Sequence, residues 1–359
     1  MQIVNADLIR AKKILLRLDI DVPLGKVGDR LEVIEDFRLR AGIPTIKLCL
    51  ENASKVILVG HLGRPFANAS EEVNGRPQDL SARPVCEWFK DRLKVDIEFA
   101  ESLEEVEKSN SKVILLENTR FFHGEVPGAD YHATCTSKTC DADFAKQLAG
   151  LGEFYINEAF ASHNPGASTT IVPTLLPHAA GLRFAKEVEE LLAVRNHPKK
   201  PLIAIMGGAK VADKLPVIAV LARSADAVLV GGKLIHEIRE ERLELPNNVL
   251  VGKLNADGFD IAPETTSAWN NLISKATMIV WNGPVGKFED LKYDQTKYLA
   301  EEILASGAQI IIGGGDSIAA LNQYGLLGIA EKKAFVSTGG GAMLKLISDG
   351  TLPTIEALV

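Results

Sequence analysis

The stretch QIIIGGGDSIAAL, residues 309–321, runs an apolar strand into three glycines, an acid, a serine and a helical sequence. Glycines follow an apolar run in the same way in LIAIMGGAKVADK from residue 202, AVLVGGKLI from 227 and AFVSTGGGAML from 334. Glycine allows a ligand to approach the backbone, and N–H groups at helix N-termini attract phosphate. These loops fit neither the P-loop nor the dinucleotide fingerprint. They predict that several strand ends converge on one phosphate-bearing ligand.

Short apolar runs rich in β-branched residues recur along the chain and alternate with helical patterns. Strands buried on both faces have this composition, and intervening helices place such strands in parallel sheets. The runs are KILLRL (13), KVILV (55), KVILL (112), FYIN (154), LIAIM (202), AVLVG (227), NVLVG (248), MIVW (278), QIIIG (309) and AFVS (334). The sequence therefore predicts an α/β fold of two doubly wound parallel-sheet domains joined by a helix.

The length and the charge of the chain narrow the function classes. A chain of 359 residues exceeds the size at which one hydrophobic core stops growing, which favours two domains. The formal net charge of -7 argues against nonspecific nucleic-acid binding, and no apolar run is long enough to span a bilayer. The opening MQIVNADLIRAKK lacks the apolar core of a signal peptide, so we expect a cytoplasmic protein.

The four cysteines are too few for a disulfide framework. Cys135 and Cys140 lie near His132 in HATCTSKTC, but their spacing is not that of a recognised zinc site. A polar surface insertion is the favoured interpretation of this segment, and a metal tract is the alternative.

The best domain boundary falls in HAAGLRFAKEVEELLAVRNHPKKP, residues 178–201. A charged amphipathic helix followed by a turn rich in Pro and Lys is typical of a connector between two compact halves. We expect a first domain over residues 1–180, an inter-domain helix over 181–198 and a second domain over 199–344.

Two lysines and an acid in the glycine loops suit phosphate chemistry. Lys210 and Lys214 are four residues apart and would share one face of a helix, where they either reach a phosphate or face solvent. Asp316 follows three glycines and is a candidate for a magnesium ligand beside phosphates or for a simple helix cap. The spacing alone leaves both choices open.

Polar side chains also gather at the strand ends of the N-terminal half. Asp19 and Asp21 lie on one face of a strand end in RLDIDVP, and cations follow in DFRLR, GHLGRP and LENTRFF. These cations are Arg38, His61, Arg64 and Arg120. In an acidic protein they are candidates for binding a small anion through charge-assisted, bidentate hydrogen bonds.

Successive motifs of the chain closely resemble those of the phosphoglycerate kinase family. In order they are RLDIDVPL, GHLGRP, LLENTRFFHGE, NEAFASH, AIMGGAKVADK, VWNGPVGKFE, IIGGGDS and VSTGGGA. The resemblance runs from about residue 13 to the end of the chain, including AAG before the connecting helix and LPTIEAL near the C-terminus.

The resemblance implies two α/β domains that face each other across a cleft and close by hinge bending. The N-terminal domain would bind 3-phosphoglycerate or 1,3-bisphosphoglycerate, and the C-terminal domain would bind Mg²⁺ with ADP or ATP. A tail over residues 345–359 would return to the N-terminal domain. The implied activity is the reversible phosphoryl transfer of glycolysis, and we expect a monomer that binds neither nucleic acid nor membrane.

The resemblance also assigns roles to residues by their position. The substrate contacts would be Asp19, Ile20, Asp21, Arg38, His61, Leu62, Gly63, Arg64, Arg120 and His163. The nucleotide contacts would be Lys214, Asn282, Glu289, Gly314, Gly315, Asp316 and Ser317, with Glu289 on the ribose and Asp316 facing the metal. Arg38, Lys210 and Lys214 would be the catalytic residues around the transferring phosphoryl group. No general base is needed, because the acceptor carboxylate is already ionised near neutral pH.

The chain departs from the family pattern at several positions. Asp21 replaces the usual Asn, HNPGAS with Asn164 replaces a basic stretch that carries a phosphate-binding arginine, and Lys233 replaces a glycine. The segment 236–276 is shorter than usual. The alternative to an enzyme is therefore a catalytically weakened, nucleotide-binding relative with a regulatory or interaction role.

Overall fold

The computed structural model of the chain describes residues 1–65, 72–73, 76–126, 142–208 and 211–359. These residues form two compact units, Met1–Lys186 with Thr351–Val359, and Glu187–Gly350. Lys345 lies in the second unit, so the segment that joins the first unit begins at Thr351 and not at residue 345. The expected residues Lys210, His132, Cys135 and Cys140 lie outside the described residues.

The strands and helices alternate along most of the chain. The strands are β1 Lys13–Arg17, β2 Leu24–Val27, β3 Arg30–Val33, β4 Lys55–Val59, β5 Glu72–Val73, β6 Arg76–Pro77, β7 Glu98–Ala100, β8 Val113–Leu116, β9 Phe154–Asn157, β10 His178–Ala180, β11 Leu202–Met206, β12 Ala227–Val230, β13 Val249–Val251, β14 Met278–Asn282, β15 Gln309–Gly313 and β16 Ala334–Val336. The helices are α1 Ala6–Ile9, α2 Phe37–Asn52, α3 Arg83–Leu93, α4 Leu103–Lys108, α5 Ala142–Gly150, α6 Val172–Leu175, α7 Leu182–Asn196, α8 Val211–Ser224, α9 Leu234–Glu240, α10 Pro263–Ile273, α11 Gln295–Ala305, α12 Gly315–Gln323, α13 Leu327–Lys333, α14 Gly340–Asp349 and α15 Pro353–Glu356. Short helical turns cover Gln78–Leu80, Thr119–Phe121 and Ala167–Ile171.

The main sheet of the first unit has the strand order β10-β9-β1-β4-β8-β7, and its neighbouring strands are parallel. Its central strands are almost completely buried, as the continuous apolar runs predict. Arg17 pairs with Val59 on one side and with Asn157 on the other, so the carboxyl ends of β1, β4 and β9 are level. The chain runs from β1 to β4 on one side and later places β9 on the other, which makes this edge a topological switch point.

The sheet of the second unit repeats the arrangement with the order β13-β12-β11-β14-β15-β16, again parallel. Met206 pairs with Val230 and with Asn282, and Asn282 pairs with Gly313. The glycine loops that follow these strands therefore lie side by side at one edge. The switch point falls between β11 and β14, and the prediction of two doubly wound parallel sheets is confirmed.

Helix α14 ends at Asp349, and Gly350, whose φ is 82° and whose N–H donates to the carbonyl of Leu346, is its left-handed C-cap. The second unit ends at this residue. Within the described ranges, no helix has both the length and the apolar character needed to cross a membrane.

Candidate active site

In the first unit, Asp19 and Asp21 lie beside Arg38 beyond the end of β1. Arg38 Nη1 donates to the carbonyl oxygen of Asp21 at 2.8 Å and lies 3.7 Å from Asp19 Oδ1 and 3.8 Å from Asp21 Oδ2. Burial raises the pKa of Asp19 although the charge of Arg38 opposes this, and Asp19 in turn raises the pKa of Arg38. The guanidinium of Arg38 is thus held in place by two carboxylates.

The loop after β4 is fixed by the polar residues that follow β8. Asn118, which is fully buried, donates from Nδ2 to the carbonyl of Leu62 at 2.7 Å and accepts from the Leu62 N–H at 3.2 Å. Gly63 N–H donates to Asp21 Oδ1 at 2.8 Å, and Arg120 Nη1 donates to the Gly63 carbonyl. Gly63 has a φ of +61°, which favours glycine. The extra carboxylate of Asp21 therefore has a structural partner here.

His61 is buried in the same group and contacts a residue that the sequence reasoning missed. Arg17, at the end of β1, is 1% exposed, and its Nη2 lies 2.6 Å from His61 Nδ1. Burial, followed by the charges of Arg120, Arg17 and Arg38, lowers the pKa of His61 well below its ordinary value. The signal in the sequence is the arginine inside the apolar run KILLRL, because arginine is rarely buried without a partner.

The remaining substrate candidates of this unit surround the same strand ends. Arg64 is exposed, Ile20 and Leu62 are buried, and His163 is half-buried with its Nδ1 3.0 Å from the carbonyl of Ala161. Because a carbonyl only accepts, Nδ1 of His163 carries a proton. Asn164 is exposed, and its carbonyl accepts from Thr169 Oγ1 at 3.1 Å, so the HNPG turn is pinned from its C-terminal side.

In the second unit, three glycine loops touch one another through backbone groups. Gly208 N–H donates to the Pro284 carbonyl at 2.7 Å, and Gly232 N–H donates to the Val285 carbonyl at 2.8 Å. A Cβ at Gly207 would lie 2.2 Å from the Pro284 carbonyl oxygen, so only glycine fits there. The loops after β11, β12 and β14 therefore form one continuous backbone surface.

Lys214 and Asn282 direct polar groups into these loops. Lys214 Nζ donates to the carbonyl of Gly207, and it would lie 2.9 Å from a Cβ placed at Gly283. Lys214 is thus not on the solvated face of a helix, which was the alternative left open by the sequence. Asn282 is 4% exposed, and its Nδ2 lacks a hydrogen-bond partner within the described part of the chain. Buried amide donors are normally satisfied, so this atom is a candidate ligand contact.

The start of helix α12 shows which residue caps it and where the Asp316 and Ser317 side chains lie. Its N-cap is Gly314, with a φ of 107°, so Asp316 is not the cap but an exposed acid in the first turn. Ser317 is fully buried; its Oγ accepts from the Gly283 N–H at 2.7 Å and donates to the Gly313 carbonyl at 3.0 Å. The Ser317 hydroxyl therefore joins two loops, while Asp316 presents its carboxylate outward beside Gly315.

Two residues lie on the loops beyond this surface. Glu289 is exposed in the segment after β14, and Lys233 is the exposed residue that precedes α9.

Comparison with known proteins identifies this arrangement. A family model described as phosphoglycerate kinase matches residues 4–243 and 237–350. The chain belongs to the phosphoglycerate kinase family. A phosphoglycerate kinase of Desulfovibrio desulfuricans is 35% identical over 97% of this chain and 96% of that protein, and one of Solibacter usitatus is 34% identical over 98% and 97%.

Solved structures of phosphoglycerate kinases share the fold. The structure from Pyrococcus horikoshii has a TM-score of 0.79 at 25% identity, and the structure from Coxiella burnetii has a TM-score of 0.75 at 27% identity. In both comparisons 98% of this chain and 96% of the other are covered. The chain is a phosphotransferase with a carboxyl group as acceptor, and the comparisons favour this activity over the regulatory alternative.

Proposed function

We propose that the first unit binds 3-phosphoglycerate or 1,3-bisphosphoglycerate and that the second unit binds ADP or ATP together with Mg²⁺. In the forward reaction the bond between the acyl oxygen and phosphorus breaks, and an oxygen of the ADP β-phosphate forms the new bond. The acid leaves as a carboxylate, which is stable near neutral pH and requires no protein base. The protein must hold the reactants in line and neutralise charge on the transferring oxygens.

The placement of Lys214 is the observation that best supports this proposal. Its amine lies at the Gly207 carbonyl and close to Gly283, so a cation stands between the glycine loops that follow β11 and β14. Arg38 supplies the corresponding cation in the first unit, where Asp19 and Asp21 orient it. We assign Lys214 and Arg38, with Lys210 by family position, to stabilisation of the phosphoryl group in flight.

The donor set near α12 suits magnesium. Mg²⁺ usually takes one or two protein carboxylates, keeps several waters and binds substrate phosphates. Asp316 offers one exposed carboxylate in the first turn of α12. When bound, the ion would screen the charge of the β-phosphate and the transferring group, and Asp316 would hold it at the helix end.

The HNPG turn lacks the phosphate-binding arginine of the family, which weakens the site for 3-phosphoglycerate without abolishing it. Losing one charge-assisted contact costs ~1.5 to 3 kcal/mol. That corresponds to ~10-fold to 100-fold in affinity. Arg38, His61, Arg64 and Arg120 remain as candidate contacts, so we propose a working kinase with a raised KM for 3-phosphoglycerate. Location in the cytoplasm and a monomeric state stay predictions.

A coupled assay of ATP formation from ADP and 1,3-bisphosphoglycerate tests the proposal. We expect turnover that depends on both substrates and on Mg²⁺, and calorimetry should show heat at millimolar 3-phosphoglycerate. Absence of that heat while Mg-ADP binds normally would restore the regulatory alternative. Replacing HNPG with the family's basic stretch should tighten 3-phosphoglycerate binding without changing Mg-ADP binding.

A further inference from the structure

Arg17 is a buried cation at the ligand-binding edge of the first unit, and its guanidinium faces inward. Its Nε donates to Ser168 Oγ at 3.0 Å, its Nη1 donates to the Leu18 carbonyl, and its Nη2 lies 2.6 Å from His61 Nδ1. All three nitrogens are therefore engaged by the protein. Arg17 acts on its neighbours rather than as a free anion ligand.

The charge of Arg17 is balanced by a carboxylate one hydrogen bond further away. Ser168 Oγ donates to Glu125 Oε1 at 2.6 Å, and Ser168 N–H donates to Glu125 Oε2 at 3.1 Å. Tyr155 fixes the same turn, because its hydroxyl donates to the Ser168 carbonyl at 2.7 Å. Glu125 and Ser168 are 4% and 0% exposed, respectively. Arg17 and Glu125, both buried, are thus linked through the hydroxyl of one serine.

This contact determines the protonation state of His61. Arginine has five N–H donors and no acceptor, and it stays protonated in proteins. His61 Nδ1 must therefore accept the bond from Arg17, which requires an unprotonated Nδ1. The neutral ring then carries its proton on Nε2, at the opposite end of the imidazole. In a doubly protonated ring, the Nδ1–H of His61 would face the Nη2–H of Arg17, and two donors cannot form a hydrogen bond with each other.

The charges around His61 act in the same direction. The groups that face it are Arg17 of β1, Arg38 of α2 and Arg120 of the turn after β8, and all are cations. Each cation, like burial, disfavours the imidazolium. His61 thus remains a neutral donor in a cluster that attracts anions.

We propose that Arg17 is a positioning residue that locks His61 in the neutral Nε2–H tautomer, so that His61 donates a hydrogen bond to the phosphorylated acid without gaining charge. Ser168 and Glu125 hold Arg17 in the orientation that this requires. The identity of the anion rests on the proposed function, whereas the tautomer does not.

Nitrogen-15 NMR of histidine-labelled protein without ligand tests the lock directly. Spectra of the wild type and of His61→Gln assign the His61 signals. We expect a protonated Nε2, an unprotonated Nδ1 and no titration of this ring between pH 5 and pH 8, on either side of the ordinary histidine value of about 6.5. A proton on Nδ1, or a normal titration, overturns the proposal.

Variants test the role in binding. Ser168→Ala removes the bridge to Glu125 and should raise the KM for 3-phosphoglycerate by ~10-fold or less, the scale of one hydrogen bond, while kcat and the KM for ADP stay unchanged. Arg17→Lys should do the same and allow His61 to titrate. Thr174→Val is the control, because the Thr174 hydroxyl donates to the Ile171 carbonyl on the exposed side of the same segment.

The outcomes separate the two proposals. If Ser168→Ala and Arg17→Lys raise the KM for 3-phosphoglycerate no more than Thr174→Val does, and the His61 signals are unchanged, positioning by Arg17 is wrong. If the tautomer is as expected in the wild type but the coupled assay shows no turnover, the proposed function fails and the lock stands. A fold defect in Arg17→Lys does not affect the wild-type measurement.

Discussion

Single contacts give several residues a role that their sequence position left open. The amine of Lys214 donates to the Gly207 carbonyl, and the buried amide nitrogen of Asn282 has no hydrogen-bond partner among the residues that the structure describes. In the first unit, Asp21 accepts from Gly63 and lies near Arg38. The functional assignment of each side chain follows from the backbone groups that surround it.

Replacing Lys214 tests the catalytic assignment. We expect Lys214→Ala to lower kcat by ~100-fold or more, the scale of losing one preorganised charge stabiliser, while the fold persists. Lys297→Ala is the matched control, because Lys297 is a surface lysine 3.9 Å from Glu301 on α11 of the same unit. Steady-state kinetics with both variants decides the matter, and near-normal turnover of Lys214→Ala would remove this residue from the mechanism.

Replacing Asp21 tests the effect of the extra charge. Asp21→Asn keeps an oxygen for the Gly63 N–H but removes a negative charge 3.8 Å from Arg38. Asp21 is 41% exposed, so the interaction is that of charges near water, ~1 kcal/mol. We expect the KM for 3-phosphoglycerate to fall ~5-fold with kcat little changed. A higher KM would show that the carboxylate helps to bind the acid.

Glycines lie at the ends of several helices of the second unit, and their conformations can be tested by substitution. Helix α12 begins after Gly314 and carries Asp316 in its first turn, and α14 ends at Asp349 with Gly350 as its left-handed C-cap. Helix α11 ends at Ala305 and is followed by Gly307, whose φ of +50° is the left-handed conformation that favours glycine. These glycines determine where each helix begins or ends, and Gly314 thereby places Asp316 in the first turn of α12.

Asp316→Asn separates metal binding from helix capping. Because Gly314 is the N-cap, the substitution should leave the unfolding temperature nearly unchanged. Loss of the charged ligand should weaken Mg-ADP binding ~10-fold to 100-fold, measured by calorimetry. Glu264→Gln removes an exposed acid from the first turn of α10 and should leave Mg-ADP affinity as it is. Equal affinities in the two variants would exclude Asp316 as a ligand.

Gly350→Ala tests the end of α14. An alanine at a φ of 82° is strained, and its Cβ would lie 3.0 Å from Arg195 Nε. We expect a loss of about 1 kcal/mol in the free energy of unfolding. Gly328→Ala, inside α13 with no atom within 4 Å of the new Cβ, should instead stabilise the protein by up to about 1 kcal/mol. Urea denaturation measures both, and equal effects would contradict the cap assignment.

The molecule as a whole consists of two units, each with its own buried sheet, its own polar edge and its own buried acid. In the first unit, burial raises the pKa of Glu158 to about 7, against hydrogen bonds from Thr45 and the backbone of Arg183 and Phe184. In the second unit, burial raises the pKa of Asp260 to about 6. Both acids bind protons more tightly in the folded protein than in the unfolded chain.

The contribution of these two acids to stability should therefore fall as the pH rises toward neutrality. Glu158 is protonated in the folded state and ionised in the unfolded state between its ordinary pKa of 4.5 and about 7, so its contribution is present below pH 4.5 and is lost by pH 7. Glu158→Gln should flatten the pH dependence over this window. The test is the slope of unfolding free energy against pH from denaturant titrations, and an unchanged slope would contradict the raised pKa.

The sequence by itself determined the fold class, and its motifs named the candidate site residues. Continuous apolar runs such as KILLR and QIIIG occur in strands buried on both faces, and glycines after those runs mark ligand-binding edges, so local composition predicts both. Arg38 and His61 were candidates for anion binding because residues beyond the parallel strands of one sheet meet at one edge, whereas the role of Lys214 came from the resemblance to the family. The motifs also supplied the family, which the comparisons confirm.

Only the tertiary structure decided what those residues contact. It made Gly314 the cap in place of Asp316, turned the Ser317 hydroxyl inward, and moved the start of the C-terminal segment from residue 345 to Thr351. It also brought Arg17 to His61, 44 positions away, and to Ser168, 151 positions away. Such contacts depend on which strands are neighbours and in what register, and no local pattern carries that information, because pairing is set by packing of the whole sheet.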